Sequence, residues 1–320
     1  MKNVSLRQLR VLSAVARHAS VTKAADELHL TPPAVSMQLK DLERRVGMPL
    51  FDRDGRQLTL TTVGEYLLSY TRRALAVLKD AEDAVARLRG LQGGLLTVGL
   101  VSTAKYFLPG LLTRFRHDHP AIEVRLRVGN REQLVELMRG NEVDLAIMGR
   151  PPKDYATRAE PFAMHPHGLV TAPDHPFTRQ EPVPAAALAR EGFIVREPGS
   201  GTRAALEEYW GHHHLKPQVV MEMSSNETIK QAVMAGMGVS LLSLHTIGLE
   251  LRSGLIATPE VEGLPLVRRW HVVNNAGKLL SPAAEALRYF VLEQGEAHLA
   301  GMFGASRDPA GRIGARDAAG

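Results

Sequence analysis

Two sets of side chains in this sequence have types and spacing suited to chemistry, and in both the chemistry is recognition of a polyanion or anion, with no bond broken. In the first set Thr31, Pro33, Ser36, Met37, Lys40 and Arg44 fall along one stretch at helical spacing, with Arg53 and Arg56 shortly after. A serine hydroxyl hydrogen-bonds to either kind of base, a methionine covers a thymine methyl, and longer basic chains hold phosphates. In the second set small polar residues, glycine and cations recur where an extended run gives way to a helix: Ser102, Thr103 and Lys105; Asn130, Arg131 and Glu132; Arg150; Ser200, Gly201, Thr202 and Arg203; Asn226 and Glu227. Free N–H groups and the helix dipole at such positions favour a bound anion. Each group also has a plainer reading. Ser102, Thr103 and Ser224 serve equally well as helix caps, and lone Arg131, Arg150 and Arg203 as partners in surface ion pairs. The run Gly199-Ser200-Gly201-Thr202 lacks the lysine and spacing of a P-loop, so it gives no support to nucleotide hydrolysis. Convergence on strand ends is what favours a site for an anionic small molecule.

Bond-making chemistry finds no comparable set. With no cysteine in 320 residues, thiolate nucleophiles and Cys-ligated zinc are excluded. His212, His213 and His214 are consecutive in a helical stretch, so their rings point apart and suit one metal poorly. His165 and His167 alternate in an extended segment where the chain is expected to cross between lobes, which makes both candidate hinge or site residues. No nucleophile, base and orienting group assemble, so neither enzyme activity, metal nor cofactor is expected.

Residues 5–61 have to position the first set. Leu6, Leu9, Leu12 and Ala16 keep helical spacing, a second helix covers Val21 to Leu28, and a three-residue turn leads to Thr31 as N-cap with Pro32 in the first helical position. In the third helix Val35, Leu39, Leu42 and Val46 share one stripe. At 100° per residue the opposite stripe carries Pro33, Met37, Lys40 and Arg44, flanked by Ser36. A short hairpin follows, with Arg53 and Arg56 at its tip. Residues 1–62 hold ten Lys/Arg against six Asp/Glu, so +4 of the net charge of +5 sits in about a fifth of the chain, which suggests a polyanion partner for that lobe alone.

From Thr62 the sequence is free of proline for a full linker helix, 62–92, in which Leu67, Thr71, Ala74, Leu78, Ala81, Val85 and Leu88 alternate at four and three residues and predict a dimer seam. A single helix packed on its own chain is the alternative. Beyond Gly93 extended and helical runs alternate as in a parallel α/β sheet, then repeat as a second series, predicting an effector-type domain over 93–300: lobe I from 93–162 and 266–300, lobe II from 163–265, with a cleft between. The tail 301–320 has no periodicity and is expected to be disordered. No run is apolar enough to cross a bilayer, and the N-terminus lacks a secretory signal, so a cytoplasmic protein is expected.

The N-terminal string running from Leu6 through "LTPPAVSMQLKDLERRVGMPLF" resembles the DNA-binding module of LysR-type transcriptional regulators, without a gap to Phe51. That resemblance implies a winged helix-turn-helix domain at 1–61 and a two-lobed effector domain similar in fold to periplasmic binding proteins. Many members carry Gln where Pro32 stands and a basic residue where Met37 stands. The recognition helix is therefore a partly apolar reader, resting on Ser36, thymine contacts and DNA shape. The strings "GLVSTAKYFLPGLL", "DLAIMGRPP" and "FIVREPGSGTR" are similar to the activators of Calvin-cycle carbon-fixation operons in that family, whose effectors are phosphorylated or nucleotide metabolites. The resemblance implies a homotetrameric transcriptional activator with double-stranded DNA, further copies of itself and a phosphorylated metabolite as partners. A LysR-type regulator of another metabolic operon is the nearest alternative. A solute-binding protein without DNA function is a remote one, disfavoured by the basic N-terminal lobe.

Overall fold

The computed structural model describes residues 4–54, 57–88, 94–179 and 182–304, and the chain falls into two compact units that divide near residue 90. In the first unit, α1 (Leu6–His18), α2 (Val21–Leu28) and α3 (Pro32–Val46) are each started by a hydroxyl side chain. Ser5 caps α1 in a reciprocal capping box with Gln8, Ser20 caps α2, and Thr31 caps α3 ahead of Pro32, as the sequence predicts. The helices end in left-handed residues, Ala19, His29 and Gly47. Val11, Leu12, Val15, Val35, Leu39 and Leu42 close the core. The hairpin β1 (Phe51–Asp54) and β2 (Gln57–Leu60) pairs Phe51 with Leu60.

The long helix α4 (Thr62–Leu88) fills the predicted linker, but in its first turns the exposed stripe departs from the expected seam. Leu67 packs in the core of the N-terminal unit and Thr71 is 1% exposed, whereas Tyr66, Tyr70 and Val77 stand in solvent with Ala74, Ala81 and Val85. Periodicity counts apolar spacing without telling which of two adjacent stripes roofs the chain's own module. The first turns of α4 do that roofing.

In the second unit a six-stranded sheet has the order β4, β3, β5, β10, β6, β9. The strands are β3 (Gly94–Val101), β4 (Ile122–Gly129), β5 (Leu145–Met148), β6 (Thr157–Val170), β9 (Ser240–Ser243) and β10 (Leu266–Asn275). Strands β3, β4 and β5 are parallel, so their carboxyl ends lie at one edge. Beyond them β10 enters between β5 and β6, antiparallel to both. Strands β7 (Gly192–Arg196) and β8 (Gln218–Met223) form a parallel pair, which a bridge from Phe193 to Val239 links toward β9.

Helices α5 (Leu108–Asp118), α6 (Arg131–Arg139), α7 (Gly201–His212), α8 (Asn226–Met234), α9 (Gly248–Arg252) and α10 (Pro282–Phe303) complete the unit. Leu96, Val98, Phe107, Phe115, Trp270, Leu287 and Val291 form one core, and Phe193, Val195, Leu206, Tyr209 and Leu241 form another. Strand β6 runs through Pro161 and Pro166, residues that mask a strand in sequence. The register shifts opposite Pro161, leaving Phe162 as an extra residue where Ala163 faces Trp270 and Pro161 faces His271, and a bulge is where a strand accepts proline. Helix α10 runs to Phe303, past the expected start of the tail at 301; residues 305–320 lie outside the described residues. Among the described residues no helix is long and apolar enough to cross a membrane.

Candidate functional site

The recognition stripe follows from the packing of α3. Burial of Val35, Leu39 and Leu42 turns Pro33, Met37, Lys40 and Arg44 outward, with Met37 63% exposed and Ser36 half-buried beside it. Thr31, also exposed, accepts from the Ala34 amide at 3.4 Å and so fixes where the helix begins. A tie that the sequence reading missed orients the helix. Gln8, 3% exposed on α1, donates to Asp41 at 2.5 Å, and Asp41 also accepts from Arg45 at 2.8 Å. Arg44 pairs with Asp41 as well, so it must exchange that partner to hold a phosphate, while Lys40 has no ion-pair partner among the described residues. Arg56 and the side chain of Arg53 lie outside the described residues.

In the second unit a cleft opens where the strand ends converge. Ser102 and Thr103 after β3, Asn130 and Arg131 after β4, and Arg150 after β5 line it. Asn130 and Gln133 form the expected reciprocal cap at 2.9 and 3.0 Å, which holds the start of α6 at the rim. Ser200, Gly201 and Thr202 line the cleft at the start of α7, and Ser200 accepts from the Thr202 amide at 3.2 Å. His167 also lines it. Nine of the residues proposed from sequence thus meet in one cavity.

The remaining five do not line it. Lys105 sits 3.9 Å from Glu227, which bonds to the Tyr106 hydroxyl and to Lys230. Arg203 is taken up by Glu207 at 2.6 Å, Glu222 at 3.3 Å and the Arg196 carbonyl at 3.1 Å. Glu132 lies against Gly199, where a Cβ would meet its Oε2 at 2.4 Å. Asn226, 1% exposed, stands behind the lining and accepts from Arg196 at 2.6 Å. These residues follow strand ends too, but on faces turned from the cavity, a distinction that spacing does not carry.

The sequence reading passed over Arg196 and Arg268, and both line the cleft, as does His165, which it had paired with His167. Arg196 ends β7, so the strand-end rule could have found it; Arg268 sits mid-strand and gave no such signal. Arg196 is 3% exposed and held by Glu197 at 2.7 and 2.9 Å, while its Nη2 donates to Ser102 at 3.1 Å across the cleft. Arg131 donates through Nε to the Arg150 carbonyl at 2.9 Å. The Arg150 guanidinium has no partner among the described residues. Burial, and then the charge of Arg150, lowers the pKa of Arg131; burial does the same to Arg268, against the pull of Glu208. Four guanidiniums therefore line a cavity with no carboxylate in its lining, and burial penalises the charge of two of them, Arg131 and Arg268. An anion relieves that penalty.

Residues 6–65 match the family model described as "Bacterial regulatory helix-turn-helix protein, lysR family", and residues 89–296 match "LysR substrate binding domain". The chain belongs to the LysR family. As a LysR regulator it is similar to the HTH-type transcriptional regulator CfxR of Cupriavidus necator, at 50% identity over 293 residues, 92% of each chain. It is 45% identical over 292 residues to the RuBisCO operon transcriptional regulator of Allochromatium vinosum, covering 91% of this chain and 97% of that one. Among solved structures, the CcmR regulatory domain of Synechocystis in complex with 2-PG matches at 39% identity and a TM-score of 0.61, over 62% of this chain and 96% of that chain. A full-length OxyR variant from Pseudomonas aeruginosa shares the fold at 20% identity, with a TM-score of 0.70 over 99% of this chain and 100% of its own.

Proposed function

We propose that this LysR regulator reads duplex DNA through the exposed stripe of α3 and governs carbon-fixation genes, as an activator, in response to a phosphorylated metabolite held in the cleft. The observation that carries the effector reading is the set of four guanidiniums with no carboxylate in the lining. The nature of the relatives supports the rest: RuBisCO operon transcriptional regulators at 45% and 43% identity, and a regulatory domain solved in complex with 2-PG. The effector makes contact with both lobes, replaces the hydrogen bond from Arg196 to Ser102, and shifts the balance between conformations that present the recognition helices differently. Chains pair through the exposed face of α4, where Tyr70, Val77 and Val85 leave apolar surface uncovered. The regulator works in the cytoplasm, where its DNA is.

The test is operator binding by the full chain with and without 2-phosphoglycolate, counting chains per operator. In the Arg150→Ala/Thr202→Ala double variant the metabolite response is expected to weaken about tenfold, because a charge-assisted hydrogen bond contributes about 1.5–3 kcal/mol. An undiminished response would place the effector elsewhere, and one chain per operator would rule out pairing through α4. Lys40→Ala is expected to reduce the slope of log affinity against log salt by about 0.9 and to weaken all duplexes alike. An unchanged slope would remove Lys40 from the phosphate contacts.

A further inference from the structure

Besides its arginines, the cleft is lined by a buried imidazole of fixed polarity. His167 is 1% exposed, and its Nδ1 lies 3.2 Å from the His165 carbonyl oxygen. A carbonyl only accepts, so Nδ1 carries the proton, and in the neutral ring Nε2 is then a bare lone pair. That Nε2 is buried and has no hydrogen-bond partner among the described residues. The ring stays neutral, since burial and then Arg268 push its pKa down to about 3, and the nearby His245 acts in the same direction. No Asp or Glu lines the cleft to reverse this. His165 differs: its Nε2 lies 2.9 Å from the Ser243 hydroxyl, which either donates or accepts, so His165 can take either polarity.

The lining therefore offers many donors, on guanidiniums, hydroxyls and the start of α7, and at His167 Nε2 an acceptor of fixed polarity that nothing among the described residues satisfies; His165 Nδ1, also unsatisfied, is donor or acceptor according to its tautomer. Phosphate and carboxylate oxygens at neutral pH meet the donors only. Set against Nε2, they bring lone pair to lone pair. We infer that the cleft selects a phosphorylated anion that also carries a hydroxyl, and that His167 is the specificity-determining residue, accepting that hydroxyl proton on Nε2. The chemical class is a phosphorylated hydroxy acid or sugar. This rests on the reading of the cleft as the effector site and adds to it what the arginines cannot distinguish. A site that leaves a buried acceptor unpaired with the wrong ligand discriminates more strongly than one that merely loses contact area.

The experiment compares 3-phosphoglycerate with 3-phosphooxypropanoate, which differs only in lacking the hydroxyl, by calorimetric titration of the full chain, with 2-phosphoglycolate as a third probe. The hydroxyl compound is expected to bind about tenfold more tightly than its deoxy counterpart, the loss typical of one unpaired buried polar group. In His167→Phe the two should come within about twofold of each other. His167→Gln, whose side-chain oxygen still accepts, should keep part of the preference, and it serves as the probe if the phenylalanine variant fails to melt cooperatively. Equal affinities in the unmodified protein overturn the inference, and so does a preference that survives undiminished in the substituted one. If none of the three probes binds, the cleft is not the effector site and the underlying reading fails first.

Discussion

Acidification from pH 7 to pH 5 is expected to destabilise the C-terminal unit by roughly 4 kcal/mol through His167 and His245 alone, at about 1.4 kcal/mol for each pH unit and each proton bound only on unfolding. Both rings are buried, at 1% and 3% exposure. Their pKa values are pushed down by burial, to about 3 and about 4, and for His167 also by Arg268. In the unfolded chain each returns to about 6.5. A histidine with a lowered folded pKa favours the fold while neutral, so its contribution is complete above the unfolded pKa and is lost as pH falls from about 6.5 toward the folded value. His165, held well below its ordinary value by burial and then by His167, adds to the loss in the same window. The carboxylates act later. Glu227 is lowered from an ordinary value near 4.5, so protonation there matters mainly below pH 5.

Urea unfolding at pH 7, 6 and 5 measures this directly, and His245→Gln should flatten the dependence. A stability unchanged between pH 7 and 5 would mean that the imidazoles are charged in the fold, or that water reaches them. It would also remove the fixed polarity assigned to His167.

Where the sequence was legible, the reason was local. Thr31 followed by Pro32 dictates a helix start, the Val35, Leu39 and Leu42 stripe dictates which face of α3 is outward, and the alternation of extended and helical runs places nearly every strand of the second unit. Strand ends then drew Ser102, Asn130, Arg131, Arg150 and Thr202 into one cleft, because parallel strands deliver their carboxyl ends to one edge. What stayed hidden depends on pairing across the chain. Arg268 is a mid-strand residue whose importance arises when β10 inserts antiparallel beside β6, with Arg268 registered against His165. No spacing within either segment encodes that register. Lys105 and Glu227 erred in the opposite direction, being well placed along the chain and turned from the cavity in space. The rotated stripe on α4 has the same origin, since α4 packs on α1, at the far end of the module's sequence, and spacing within α4 does not reveal which stripe α1 will cover.

Trp270→Ala is expected to destabilise the C-terminal unit by about 3–5 kcal/mol, the range for deleting a large buried aromatic, with about 1–3 kcal/mol more from the partner it strands. Trp270 is fully buried in β10, its ring 5.0 Å from Phe107 at 64° and stacked on His165 at 3.8 Å and 17°. Its indole N–H donates to His245 Nδ1 at 3.0 Å, so that ring's neutrality is structural: a protonated Nδ1 could not accept. Trp270→Phe separates the two contributions, because it keeps most of the packing and removes the donor, and should cost about 1–3 kcal/mol, mainly from the stranded partner. Denaturation midpoints at constant slope give both numbers. Equal losses in the two variants would assign the effect to the hydrogen bond, and a loss under about 1 kcal/mol for alanine would mean that the core closes around the gap. The stacking on His165 makes a further demand. With the indole removed, His165 loses the surface that aligns it, and its carbonyl is the acceptor that fixes the His167 tautomer. Effector affinity should therefore fall in the alanine variant even where the protein is still folded, and recover in the phenylalanine variant, since an aromatic face is what His165 rests on.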